Sequence, residues 1–128
     1  METSALLDAH VQLKRIYHAL NETFDISRQL AEAMDRNDQI AIQMLVAMRQ
    51  EPVEKLTQAR QALEHQRDSL PPGVRARLSE LLNGAPAKEA AEEGLANQVG
   101  VNNRLLKQLV ELDRILNRKL TREKSIYQ

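Results

Sequence analysis

The most constraining feature of this chain is an apolar stripe along its last third. Its members recur at steps of three and four residues, with one polar exception, Asn102: Leu95, Val99, Asn102, Leu105, Leu106, Leu109, Leu112, Leu116 and Leu120. Successive residues of an α-helix turn by about 100°, so this spacing places the stripe on one side of a helix. Burying one leucine is worth roughly 1.5–3 kcal/mol, so the stripe must be covered by the rest of the chain or by another protein.

Composition limits the classes of protein to consider. A chain of 128 residues is expected to form one domain, residues 1–128. Eighteen basic and eighteen acidic side chains cancel, which gives no support to nucleic-acid binding through a basic stripe. No cysteine is present, which excludes disulfides and thiolate metal sites and fits the cytosol. Neither a signal peptide nor an apolar run long enough for a membrane span is apparent.

The periodicity predicts an all-α fold of long antiparallel amphipathic helices, forming a helical bundle or coiled-coil hairpin. We expect helices at about residues 5–34, 38–69, 74–82 and 87–122, more than about 70% of the chain. Asp38 is expected to cap the second helix, and Gly84 to follow the end of the third. Pro52 lies inside the second helix, where a missing N–H and a crowded carbonyl predict a kink rather than a complete stop.

Asn102 leaves two interpretations open. A single buried asparagine in an apolar seam can fix the register between helices. The alternative is a partly exposed asparagine at the edge of the seam.

Patterns typical of catalysis or metal binding are missing from the sequence. His10, His18 and His65 are not spaced as ligands one helical turn apart. The sequence also lacks a Gly-rich phosphate loop and a recognisable Ser/His/Asp grouping. We therefore expect no catalytic residues, no cofactor and no metal.

Two segments resemble a known family. The run Asn37-Asp38-Gln39-Ile40-Ala41, followed by Met48-Arg49-Gln50, looks like the N-terminal half of FlgN-type flagellar export chaperones. Asn102-Asn103-Arg104-Leu105-Leu106 and Leu116-Asn117, on a long terminal helix, are similar to the C-terminal half of those chaperones. The resemblance spans most of the chain and rests on helix lengths and loose patterns. The smaller FliT-type chaperones are nearly as good a match.

The resemblance implies a cytoplasmic, non-enzymatic chaperone of flagellar type III export that holds hook-associated or cap subunits. The client would be bound by the amphipathic C-terminal helix, a mode for which an apolar stripe at this spacing is suited. The predicted partner-binding residues are Leu105, Leu109, Leu112, Leu116, Leu120 and, for docking on the export gate, Tyr127. The alternative is a structural coiled-coil protein that homodimerises through residues 105–120. Whether the last helix is docked or free at rest stays open at this level.

Overall fold

A computed structural model describes residues 3–126, with side chains described for residues 3–121. Four helices follow one another along the chain: α1 (Thr3–Asp35), α2 (Gln39–Asp68), α3 (Pro72–Leu82) and α4 (Glu93–Ile126). A short 3₁₀ turn, Ala90–Glu92, precedes α4. Helix makes up 89% of the structure, and no strand occurs among the described residues. The predicted all-α fold is confirmed.

The turn between α1 and α2 is built by Asn37 and Asp38. Asn37 adopts a left-handed conformation with φ 55°, which asparagine tolerates better than most residues. The backbone N–H of Asp38 donates to the carbonyl of Ala33, and that of Asn37 to Met34, which together close α1 with a Schellman motif. The carboxylate of Asp38 accepts from the backbone N–H of Ala41 at 3.1 Å and caps α2, as predicted.

Proline acts differently at two places in the chain. Pro52 is buried, and α2 continues through it, so the helix does not stop there; the kink itself stays a prediction. Pro72 begins α3 two residues before the predicted start, because the first position of a helix needs no N–H donor. At the other end of α3, Gly84 adopts φ 98° and follows the predicted stop at Asn83.

The predicted start of the last helix at residue 87 is wrong. Glu89 is extended, with φ −133° and ψ 154°, and α4 begins only at Glu93. The buried carboxylate of Glu92 accepts from the backbone N–H of Lys88 at 2.9 Å. It also accepts two hydrogen bonds from the Arg77 guanidinium, at 2.6 and 3.0 Å. These bonds hold the segment before α4 against α3, so the α-helix begins only after the 3₁₀ turn.

The Arg77 guanidinium, with help from the Lys88 N–H, lowers the pKa of Glu92 from its ordinary 4.5 to about 2. A carboxyl group whose pKa is depressed by folding stabilises the folded state above the unfolded pKa and loses that contribution as pH falls. We therefore expect the free energy of unfolding to fall between about pH 4.5 and 2, measured by urea titration at each pH.

The matched pair Glu92→Gln and Glu80→Gln isolates this contribution. Glu80 is exposed and contacts the same guanidinium at 2.8 Å. Glu92→Gln is expected to reduce the fall in the free energy of unfolding between about pH 4.5 and 2, and Glu80→Gln to leave that fall nearly unchanged. If the wild type and Glu92→Gln lost the same free energy of unfolding over this pH range, Glu92 would not be the source of the loss.

Helix α1 is the centre of the fold. It packs against both α2 and α4, whereas the backbones of α2 and α4 make few or no close approaches to each other. The buried side chains form two clusters along α1. One joins α1 to the second half of α2, α3 and the first half of α4: Leu6, Ala9, Leu13, Ile16, Leu20, Ala59, Leu63, Leu78, Leu81, Leu95, Val99 and Leu109. The other joins the end of α1 to the start of α2 and to Leu116.

Candidate functional site: an open groove between α2 and α4

A groove runs between α2 and α4 because both helices pack on α1 and stand apart from each other. We call it the α2–α4 groove. Its floor is formed by buried residues of α1, Leu13, Ile16 and Leu20 at one end and Leu30 at the other. At a rise of about 1.5 Å per residue, this floor is about 25 Å long, which is the length of a helix of about 17 residues.

The groove has two segments. The proximal segment, of 160 Å³, lies near α3, and its walls are Leu56, Arg60, Leu63, Leu82, Val99, Asn102, Asn103 and Leu106. The distal segment, of 390 Å³, is walled by Val46, Arg49, Gln50, Val53, Asp113, Leu116, Asn117 and Leu120. Both are mainly apolar with a few polar groups, the usual composition of a surface that receives a partner side chain or helix.

Arg49 ties the three helices together at the distal segment. Its Nε donates to Ser27 Oγ on α1 at 2.9 Å, and its Nη2 to Asp113 Oδ1 on α4 at 2.7 Å. Ser27 is fully buried and donates its own hydroxyl to the carbonyl of Thr23, so its oxygen is satisfied as donor and acceptor. The ion pair between Arg49 and Asp113 therefore spans the distal segment from one wall to the other.

Asn102 links α4 to α1 at the proximal segment. It is 6% exposed, which decides between the two interpretations of this residue in favour of a buried one. Its Nδ2 donates to the carbonyl of Leu13 on α1 at 3.0 Å, and its Oδ1 accepts from Gln98 at 3.0 Å. A carbonyl at one fixed position on α1 therefore sets the register of α4, which is the use expected of a buried polar residue in a helical seam.

The predicted partner-binding residues divide into three groups. Leu109 and Leu116 are each 5% exposed and belong to the core of this chain. Leu105 and Leu112 are half-buried beside them, and Leu120 is 38% exposed and lines the distal segment. Tyr127 lies outside the described residues. Helix α4 is thus docked on α1, and much of the stripe is covered by the chain itself.

The opposite wall of the groove was missed from the sequence. Val46, Val53, Leu56 and Arg60 on α2 line it. A signal was present: eight of the nine residues from Ile40 to Met48 are apolar, so this half of α2 is apolar on nearly all sides. Such a helix is normally covered on more than one face. Ile40, Met44, Val46 and Met48 are all exposed; of these, Val46 lines the groove, whereas Met44 and Met48 line a separate pocket beside Gln29 and Glu32 of α1.

Metal sites, membrane-spanning helices and similarity to known proteins can also point to a function. Among the described residues, no group of three His, Asp or Glu side chains could hold a metal ion, and no helix is long and apolar enough to cross a membrane. No protein-family model, curated protein or solved structure matches this chain.

Proposed function

We propose that this protein binds an amphipathic helix of another protein in the α2–α4 groove. The observation that carries the proposal is the open separation of α2 and α4 above an apolar floor. An amphipathic helix laid along such a groove covers Val46, Val53 and Leu120, the exposed apolar residues of the distal segment. Exposed apolar surface rimmed by polar residues is typical of protein interaction sites.

The resemblance to FlgN-type chaperones gives this binding activity a biological setting. We propose a cytoplasmic, non-enzymatic chaperone of flagellar type III export, whose client is a hook-associated or cap subunit. Docking on the export gate through Tyr127 belongs to the same proposal. The groove replaces the leucine stripe as the main contact surface, because Leu109 and Leu116 are occupied within the chain.

The test is binding of the hook-associated and cap proteins of the same genome, measured by calorimetry. Val53→Arg places a long charged side chain in the distal segment, where Val53 is 37% exposed. We expect it to weaken client binding at least tenfold, which corresponds to about 1.4 kcal/mol. Val11→Arg is the matched control, since Val11 is exposed on the opposite side of α1 in helical projection. Equal affinities for the two variants, or no binding to either protein, would contradict the proposal.

The structure weighs against the alternative of a homodimer formed through residues 105–120. Leu109 and Leu116 would have to leave α1 before they could meet a second copy. Light scattering separates the two ideas. A stable dimer that persists when client is added would favour the homodimer, whereas a 1:1 complex would favour the chaperone.

A further inference from the structure

We infer that the helix received by the α2–α4 groove is acidic along its flanks. This inference rests on the proposed function and adds the chemistry of the partner to it. It follows from the charges that line the groove and those beside it on α4.

Within the groove, one positive charge is left without a counter-charge. The charged side chains that line it are Arg49, Arg60 and Asp113. Arg49 and Asp113 neutralise each other at 2.7 Å. Arg60 is exposed, and no ion pair joins it to a carboxylate of the described chain. The groove lining therefore carries a net positive charge.

The α4 rim of the groove has the same sign. Lys107, Arg114 and Arg118 follow one another at steps of seven and four, so they share one face of α4, and all three are exposed. Of these, only Arg114 has a counter-charge in the described structure: Glu111 at 3.6 Å, with both side chains mostly in water. Residues 103–121 contain five Lys and Arg against two Asp and Glu, a net charge of +3 in a chain whose total is zero.

The facing rim on α2 does not cancel this charge. Its exposed residues beside the distal and proximal segments are four neutral polar ones and two acidic ones, Gln43, Gln50, Thr57, Gln61, Glu54 and Glu64, so its negative charge is smaller than the positive charge of Arg60 and the α4 rim together. A helix seated in the groove would turn its apolar stripe to α1 and its flanks to the two rims. Acidic flanks would be attracted to Arg60 and the α4 rim, and basic flanks would be repelled. Such complementarity acts mainly on specificity and on the rate of association.

The experiment uses two helical peptides of about 18 residues, the length that spans the floor. Both carry the same leucine stripe at steps of three and four; one has glutamate at every flanking position and the other lysine. Affinity for the full chain is measured by fluorescence anisotropy at low and physiological salt. We expect the acidic peptide to bind at least tenfold more tightly at low salt, with the ratio shrinking as salt screens the charges.

Charge reversal then locates the effect. Arg60→Glu combined with Arg118→Glu is expected to remove or invert the preference. The control, Arg15→Glu combined with Arg75→Glu, changes the net charge equally at exposed arginines outside the groove lining, and it should retain most of the preference. Circular dichroism checks that both variants fold.

The outcomes separate this inference from the proposed function. Equal binding of both peptides would overturn the acidic-partner inference and leave helix binding intact. Failure of both peptides to bind would overturn the two together. Equal loss of the preference in both double variants would assign it to overall charge and overturn the inference. Competition by a single-stranded oligonucleotide as strong as that by the acidic peptide would also overturn it, because it would indicate a general polyanion surface.

Discussion

Leu109→Asp combined with Leu116→Asp is expected to unfold the bundle rather than merely weaken partner binding. Both leucines are 5% exposed and pack against α1. Each change removes a buried apolar side chain and places a carboxylate within an apolar cluster. A cost of about 3 kcal/mol or more per site gives about 6 kcal/mol or more for the pair, which is comparable with the roughly 5–15 kcal/mol that stabilises a typical domain. Far-UV circular dichroism and urea unfolding measure the effect.

The control for this prediction is Val110→Asp combined with Ile115→Asp. These residues lie on the same helix and receive the same charge, but they are exposed, so we expect the helix content to be retained. If Leu109→Asp with Leu116→Asp kept full helicity and lost only client binding, α4 would not be docked on α1 in solution.

Leu81→Ala is expected to have the second largest effect, a loss of about 2–5 kcal/mol in the free energy of unfolding. Leu81 is completely buried and belongs to the core cluster that joins α1 to α2, α3 and α4, so its truncation leaves a cavity between α3 and the rest of the fold. Chemical denaturation gives the magnitude.

The next residue, Leu82, allows the same leucine-to-alanine change to be made at a less buried position. It is half-buried and lines the proximal segment of the groove. We expect Leu82→Ala to cost about 1 kcal/mol of stability, since less area leaves contact, and to weaken peptide binding in the groove. If the two variants lost the same free energy of unfolding, Leu81 and Leu82 would be equally part of the core, and Leu82 would not be a groove residue.

The helices were predictable because their physical signals are local. A period of 3.6 residues persists through every long segment, and the Asn37–Asp38 turn supplies its own cap from adjacent residues. The start of α4 was not predictable in the same way. It depends on Glu92 meeting Arg77, a pair separated by fifteen positions, and local propensity carries no information about such a contact.

The groove could not be predicted from the sequence for a similar reason. Periodicity indicates which face of α4 is apolar, but it does not say whether α1 or a partner covers that face. Leu109 and Leu120 belong to one stripe in the sequence, and yet one is core and the other lines the groove. The second wall of the groove depends on where α2 lies relative to α4. Arg49 on α2 contributes to that arrangement, because it contacts Ser27 on α1 and Asp113 on α4, which are far from it in the sequence.

The central place of α1 also determines how the molecule opens. Since the backbones of α2 and α4 approach α1 much more than each other, most contacts of each outer helix are with α1, and the ion pair between Arg49 and Asp113 adds a direct link between the two. The α1–α2 hairpin joins neighbouring parts of the chain, whereas α4 returns to α1 from far along the sequence and incurs the larger entropy of loop closure. Partial unfolding is therefore expected to release α4 first, so that its amide protons exchange with solvent at a lower free energy than those buried in the hairpin.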